Sequence, residues 1–233
     1  MRIFCLWVFL AVSIKGNSQA YSFAQVPFSP RLLTGTLIPL VDDAVSGVVP
    51  IGFTFCFWGN EYSQAYVGSN GWVGFTAGQP IAFTPFAIPT TNPFIPRNCI
   101  MGAFHDMNPG IAGAPPTPTQ YVYYRTEGIA PFRRFVVSWA NVPMYQCIAL
   151  RAQQQIVLHE TSNVIENTIY FKPICAAWVN GRAIQGLHNA NATQAIVIPG
   201  RNATTWSVTA NNPETYIYVP FECCNLHGDI FGN

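Results

Sequence analysis

Short segments in which aromatic or β-branched residues alternate with small or polar ones recur along most of the 233-residue chain. This period of two is typical of strands that bury one face. No window shows a convincing helical repeat of apolar residues, so the pattern does not favour helices. The predicted strands, each bounded by Gly, Pro or Asn, are residues 52–58, 65–67, 71–76, 100–105, 121–126, 132–139, 153–159, 164–171, 183–187, 204–208 and 216–219.

Turn signals between these segments predict antiparallel hairpins. Asn70-Gly71 is the dipeptide typical of a two-residue turn, in which both central residues need a positive φ. Thr161-Ser162-Asn163 joins the predicted strands 153–159 and 164–171 in a second hairpin. Repeated hairpins give an antiparallel meander, and packing two sheets together covers their apolar faces. We therefore predict a single all-β domain, an antiparallel β-sandwich that is jelly-roll-like.

The N-terminus is typical of an exported chain. Arg2 precedes an apolar run over residues 4–14 that is too short to span a bilayer, and Ser18-Gln19-Ala20 supplies small residues for cleavage before Tyr21. The predicted organisation is a signal peptide at 1–20, a sandwich at 21–220, and an unstructured tail or linker at 221–233. No later segment is long and apolar enough for a membrane helix, so we expect a secreted or cell-surface protein without membrane insertion.

Charge excludes one class of partner. Only 9% of residues are charged, against roughly 25% in an average soluble domain. Removing Arg2 and Lys15 with the signal peptide leaves 9 of the 11 basic residues against 10 acidic ones. A nucleic-acid-binding surface needs a basic stripe, so we expect no nucleic-acid partner.

The cysteine count indicates disulfides. The sequence has 7 cysteines, and removal of Cys5 with the signal peptide leaves an even set of six. In an oxidising compartment such a set forms disulfides. A metal site is the alternative, but no pair of cysteines has the spacing of zinc ligands. Six cysteines allow 15 connectivities, so the count alone does not assign the pairs.

Oxygen-bearing side chains give one candidate metal site. Asp106 and Asn108 follow the predicted strand 100–105, and Asp42-Asp43 precede the first predicted strand. Because Ca²⁺ takes several carboxylate and carbonyl oxygens, these four residues are candidate Ca²⁺ ligands. The alternative interpretation is that Asp106 and Asn108 cap a turn into Pro109-Gly110.

Candidate ligand residues are aromatic or basic, and none suggests catalysis. No Gly-x-Ser-x-Gly elbow occurs, and nothing in the sequence pairs two carboxylates for glycoside hydrolysis, so we expect no enzyme. Trp72, after the predicted turn, and Trp178, in a loop, are candidates for stacking on sugar rings, whereas Trp139 is expected in the core. Arg133-Arg134 is a candidate contact for anionic glycans.

Five segments in order carry a family resemblance. They are DDAVSGVVPIGFTFCFWGNEYSQAYVGSNGWVGF, IMGAFHDMNPG, YRTEGIAPFRRFVVSWANVPMYQC, QQIVLHETSNVIENTIYFKPIC and NGRAIQGLHNA. Their order resembles a β-rich module of large secreted Bacteroidetes surface proteins, which are often gliding-motility-associated or adhesin-like and often exported by the type IX route. It is also distantly similar to the extracellular nidogen (NIDO) domain, in which an acidic segment precedes a Tyr-Tyr-Arg strand and a Trp strand. Here these are residues 104–108, 123–125 and 135–139.

The resemblance covers roughly residues 42–209 and implies a non-catalytic role at a cell surface or in a matrix. We therefore expect an adhesion or surface-display module whose partners are surface glycans or other extracellular proteins. The alternative is a carbohydrate-binding domain of a secreted hydrolase, and a hydrolase itself is a more distant third.

The resembling family also carries cysteines at the places of Cys147 and Cys175. These two residues flank the ends of the 153–171 hairpin, which brings them near the separation that a disulfide needs. We expect Cys147–Cys175 as the first bridge and Cys56–Cys99, beside core strands, as the second. The adjacent Cys223 and Cys224 are left for the tail or for a partner chain.

Overall fold

A computed structural model describes residues 20–110 and 121–221 of the chain. Their regular structure is almost entirely β, and the one short helical element is a 3₁₀ turn at Val179–Gly181. The strands are β1 Tyr21–Val26, β2 Thr36–Leu37, β3 Val49–Phe57, β4 Asn60–Gly68, β5 Trp72–Gly74, β6 Cys99–Phe104, β7 Val122–Glu127, β8 Arg134–Met144, β9 Cys147–His159, β10 Ile165–Phe171, β11 Arg182–His188, β12 Ala195–Thr205 and β13 Glu214–Pro220.

The strands form two antiparallel sheets, which confirms the predicted single-domain β-sandwich. One sheet has the order β1-β13-β10-β9-β8-β7-β2 and the other the order β12-β11-β6-β5-β4-β3. Strands β7 to β10 and β3 to β6 each pair with the next strand in sequence, as the predicted hairpins require. The first described strand, β1, pairs with the last, β13.

The core lies between the sheets and follows from the alternation in each strand. In β3, Ile51, Phe53 and Phe55 are buried while the residues between them are exposed. Trp139 of β8 is fully buried, as predicted, and its indole N–H donates to the Gly68 carbonyl oxygen at 3.1 Å. This bond joins the seven-stranded sheet to the end of β4 in the six-stranded sheet.

The turn at Asn70-Gly71 differs from the prediction. Gly68 pairs with Trp72, so the turn contains the three residues Ser69, Asn70 and Gly71, and of these only Gly71 has a positive φ, at 86°. A three-residue turn ending in such a glycine is another common hairpin solution. The predicted two-residue turn is therefore wrong. The predicted turn at 161–163 is confirmed, since Ile165 pairs with Leu158 across it.

Several strands depart from the sequence prediction. Strands β1 and β2 were not predicted, and β12 ends at Thr205, near the start of the segment predicted at 204–208. Pro199 and Gly200 lie inside β12, and its register with β11 shifts twice, so the local pattern there does not resemble a regular strand. Val208 makes only an isolated bridge to Lys172.

Of the two predicted disulfide bridges, one is confirmed and the other is wrong. Cys147 and Cys175 are bonded, with Cα atoms 5.8 Å apart, which confirms the first bridge. The predicted Cys56–Cys99 bridge is wrong, because Cys99 is a free buried thiol and Cys56 is bonded elsewhere. Cys56 lies in β3 and Cys99 in β6, three strand positions apart in the same sheet. Neighbouring strands are about 4.8 Å apart, so roughly 14 Å separates the two strands, too far for a bond.

The predicted signal peptide, except Ala20, and the predicted tail, except Phe221, lie outside the described residues. Among the residues that are described, no helix has the length and apolar character needed to cross a bilayer.

Candidate functional site

Two loops bring three aspartates together at one end of the sandwich. Asp42 and Asp43 lie between β2 and β3, and Asp106 lies just after β6. One carboxylate oxygen from each of the three lies within 4.8 Å of the others. The two loops are in close contact, since a Cβ atom added at Gly110 would lie 3.0 Å from the Cα atom of Val41. We call Asp42, Asp43 and Asp106 the aspartate cluster.

Asn70 holds the cluster together from the tip of the β4–β5 hairpin. Its side-chain amide donates to Asp43 Oδ1 at 2.9 Å, and its side-chain oxygen accepts the backbone N–H of Met107 at 2.8 Å. Asn70 is fully buried, so its bond to Met107 is shielded from water, whereas the bond to Asp43 is partly buried. The sequence suggested only a turn residue here, because an Asn-Gly pair gives no sign of the long-range partners of its side chain.

The cluster places one buried and two partly buried carboxyl groups together, and none of them forms an ion pair with a described Lys or Arg. Asp106 is only 7% exposed, and its Oδ1 atom makes no hydrogen bond to any described residue. The pKa of Asp106 is raised to about 7, mainly by burial and then by the charges of Asp43 and Asp42. The nearby indole N–H of Trp178 partly offsets this rise, although Trp178 Nε1 is not within hydrogen-bond geometry of any described residue. Burial and the charge of Asp43 also raise the pKa of Asp42.

Two neighbours of Asp106 in sequence, His105 and Asn108, are not part of the aspartate cluster. The side-chain oxygen of Asn108 accepts the backbone N–H of Gly110 at 3.0 Å, as the turn-capping interpretation predicts. His105 is buried, and both ring nitrogens lack a hydrogen-bond partner among the described residues. Burial lowers the pKa of His105 well below its usual value, and the charge of Lys172 lowers it further, so this ring is neutral.

A pair of half-buried aromatic side chains lies beside the cluster. The rings of Tyr145 and Trp178 meet edge to face, with centroids 4.9 Å apart and planes at 72°. The backbone N–H of Tyr145 donates to the Asp106 carbonyl oxygen at 3.1 Å, and that of Trp178 donates to the Cys175 carbonyl oxygen at 3.2 Å. Because Cys175 is bonded to Cys147, the disulfide fixes both rings near Asp106. We call Tyr145 and Trp178 the aromatic pair.

Of the two predicted tryptophan ligands, only Trp178 is in a position to contact a partner. Trp72 is fully buried, so the prediction that it lies on the surface is wrong. Its indole lies over Gly68 and Gly74, where any side chain would collide with the ring. It packs with Phe83 and Phe104 in a second hydrophobic cluster. The two glycines create this space: Gly68 pairs with Trp72 from the neighbouring strand, and Gly74 lies two residues later in the same strand.

The two predicted arginine ligands are already engaged with carboxylates. Arg133 Nε donates to Glu160 Oε2 at 2.8 Å, and its guanidinium lies 5.7 Å from the centre of the Phe53 ring. Arg134 Nε lies 4.0 Å from Glu127 Oε1. These side chains lie at the start of β8, whereas the aromatic pair lies beyond its end. The structure therefore does not bring the predicted arginine and tryptophan ligands into one site.

Comparison with known protein families gives one match. Residues 18–220 match the family described as NIDO related. No solved structure matches the chain. The match begins before β1 and ends with β13, so it takes in both sheets, the aspartate cluster and the aromatic pair.

Proposed function

Because the chain belongs to the NIDO-related family, whose membership indicates an extracellular domain, we propose that it is a non-catalytic adhesion or surface-display module. The observation that carries the proposal is the aromatic pair, which the Cys147–Cys175 bridge fixes at one end of the sandwich. Secretion to a cell surface is part of the proposal, and so is the closer likeness to Bacteroidetes surface proteins.

An aromatic pair of this kind suits protein recognition. Tryptophan and tyrosine are enriched among the residues that dominate binding energy, because they bury a large area with few rotatable bonds. Trp178 and Tyr145 are each half-buried, so their exposed parts are available while their orientation is fixed by the disulfide and by backbone bonds. A partner would therefore meet a surface that loses little conformational freedom on binding.

The test is an adhesion assay with matched aromatic variants. The domain is immobilised through a terminal tag, and its binding to cells and to a decellularised matrix is measured by surface plasmon resonance or by counting attached cells. Phe132 is 74% exposed and lies just before β8. The 11 residues of β8 place it about 36 Å from the aromatic pair, at the opposite end of the strand. Phe132→Ala is therefore the control for Trp178→Ala.

We expect Trp178→Ala to weaken adhesion by about 30-fold, as for a residue that contributes about 2 kcal/mol to an interface. Phe132→Ala should leave adhesion within about twofold of the wild type. Equal losses in the two variants, or no adhesion by the wild-type domain, would contradict the proposal.

A second candidate function is carbohydrate binding, and the partial exposure of the Trp178 side chain is the observation that favours it. Indole faces stack on sugar rings, and a Tyr-Trp pair offers such a face. A glycan array separates the two candidates. Saturable binding to defined sugars that is lost in Trp178→Ala would favour carbohydrate binding, whereas adhesion without glycan binding favours a protein partner. Trp72 is buried and is unsuitable as a test position.

A further inference from the structure

The geometry points to a Ca²⁺-binding site formed by the carboxylates of Asp42, Asp43 and Asp106. We infer that one ion binds between them at the end of the sandwich that carries the aromatic pair. This inference is independent of the proposed adhesion, because metal binding is measured on the isolated domain without any partner.

The spacing of the oxygens fits a large hard cation. The three ligand atoms all lie within 4.8 Å of one another. Ca²⁺ binds oxygen at about 2.3–2.6 Å, so two of its ligands are separated by at most about 4.6–5.2 Å. Mg²⁺ binds oxygen at about 2.0–2.1 Å, which limits the separation to about 4.2 Å and requires a stricter octahedron. Ca²⁺ tolerates irregular geometry and takes many protein oxygens, whereas Mg²⁺ demands a near-ideal octahedron and keeps several waters, so Ca²⁺ suits a cluster of three carboxylates better.

Carboxylate oxygens in the cluster that lack a hydrogen-bond partner are a separate reason to expect a bound cation. Oδ1 of Asp106 and Oδ1 of Asp42 are both buried atoms without a hydrogen-bond partner among the described residues, and the Asp106 side chain is more than nine-tenths buried. In the described part of the chain, no Lys or Arg forms an ion pair with any of the three carboxylates. Buried charges that are left unpaired are costly, and a cation at this point would satisfy all three groups at once.

The surrounding structure orients the ligands before the ion arrives. Asn70 uses its amide to fix Asp43 Oδ1, which leaves the second carboxylate oxygen of Asp43 free. The same side chain fixes the backbone just after Asp106 through Met107. Asn70 is therefore a positioning residue for the site. Three carboxylates are fewer than the 6–8 oxygens that Ca²⁺ takes, so water or carbonyl groups complete the shell, and we expect a Kd of about 10⁻⁴–10⁻³ M, as in extracellular modules.

The aromatic pair provides an optical test. Tb³⁺ takes the same oxygen ligands as Ca²⁺ and luminesces when a nearby tryptophan is excited, and Trp178 adjoins Asp106. After treatment with EDTA, wild-type protein should give tryptophan-excited Tb³⁺ luminescence that Ca²⁺ displaces. Asp106→Asn, which keeps the side-chain size, should lose this signal and weaken Ca²⁺ binding in calorimetry by tenfold or more. Glu61→Gln removes an exposed carboxylate on β4 and should behave as wild type.

Thermal unfolding checks the same site without an optical probe. Saturating Ca²⁺ at a hundred times its Kd should raise the Tm of the wild type by roughly 5–10 °C. Without metal, Asp106→Asn should be at least as stable as the wild type, because the substitution removes repulsion among three carboxylates, and it should show no Ca²⁺ response. A wild type that responds to neither Ca²⁺ nor Tb³⁺, an Asp106→Asn variant with unchanged Ca²⁺ affinity, or an equal response to Mg²⁺ would each overturn the inference.

Discussion

At the scale of single residues, Lys172 is the most unusual side chain in the core. It is fully buried, and its Nζ donates to the carbonyl oxygens of Trp206 at 2.8 Å and of Gly181 at 3.2 Å. The ammonium group also lies 4.7 Å from the centre of the Trp206 ring. Among the described residues, no carboxylate pairs with it. The pKa of Lys172 is lowered to about 7, mainly by burial and in smaller part by the charge of Arg201.

The lowered pKa of Lys172 predicts that stability rises with pH. Between about pH 7 and pH 10, the unfolded chain holds a proton on this lysine that the folded protein has released. The free energy of unfolding should therefore increase across this window by up to about 1.4 kcal/mol per pH unit, and it should be lowest below about pH 7. In Lys172→Met this contribution disappears. Urea unfolding at several pH values for both proteins measures the difference, and equal pH slopes would contradict the prediction.

The residues of the candidate metal site were partly predictable. The chemistry of carboxylates identified Asp42, Asp43 and Asp106 as candidate ligands, and the structure brings all three together. The contribution of Asn70 was not predictable, because its two side-chain bonds join segments that are far apart in sequence. The prediction that Trp72 lies on the surface was wrong for a related reason. The buried space for its ring exists because Gly68 and Gly74 carry no side chains.

At the scale of elements, the β4–β5 hairpin depends on Gly71. This residue has φ of 86°, and a Cβ atom there would overlap the side-chain amide of Gln154 and lie 2.6 Å from the Ala103 carbonyl oxygen. The tight fit keeps Asn70 at the turn tip, from which it reaches Asp43 and Met107.

Two glycine substitutions, one in this hairpin and one in the loop after β5, separate backbone strain from packing. Gly78 also has a positive φ, at 72°, but nothing lies within 4 Å of an added Cβ atom. Gly78→Ala should cost about 1 kcal/mol for the unfavourable backbone angle alone. Gly71→Ala should cost about 1–3 kcal/mol more, because the methyl group overpacks the turn. Denaturant unfolding measures both, and equal losses would show that the turn relaxes around the methyl group.

Strand prediction succeeded where the alternation was local and failed where pairing was distant. Parts of β8, β9 and β10 alternate regularly, so the sequence alone indicates where these strands lie. Their extent was not predicted, because β8 continues to Met144 and β9 begins at Cys147, outside the predicted segments 132–139 and 153–159. Strand β2 has only two residues, paired with Tyr123 and Tyr124 of β7. Two residues are too few to show an alternation of apolar and polar side chains. Strand β2 is recognisable only from its pairing with β7.

At the scale of the whole molecule, the Cys147–Cys175 bridge joins the seven-stranded sheet to the connection between the sheets. Cys147 begins β9, and Cys175 lies between β10 and β11, where the chain crosses from one sheet to the other. A sandwich was predictable from one-sided strands, but the order of strands within each sheet was not. This is why the bridge across a hairpin was predicted correctly, whereas the Cys56–Cys99 pair, across three strand positions, was not.

Removing the bridge should destabilise the fold strongly. The two cysteines are 28 residues apart, and a loop of that length corresponds to about 3.5 kcal/mol in the chain-entropy description. The double variant Cys147→Ser/Cys175→Ser should lose about that free energy of unfolding. Cys99→Ala, which removes a buried free thiol, is the control and should cost about 1 kcal/mol. Peptide mapping without reduction should link Cys147 to Cys175, and any linked peptide containing Cys99 would contradict this assignment.

The burial of Lys172 also determines which side chains are available for covalent attachment of the protein to a support or a partner. Lys15 and Lys172 are the only lysines in the sequence, and Lys15 lies in the predicted signal peptide. The surface of residues 20–110 and 121–221 therefore offers arginines but no accessible lysine amine. Reagents that acylate lysine, and isopeptide bonds between lysine and glutamine or asparagine side chains, have no attachment point on this surface. The folded sandwich must therefore bind its partners non-covalently or through side chains other than lysine. For an adhesion experiment, the protein has to be immobilised through an added tag.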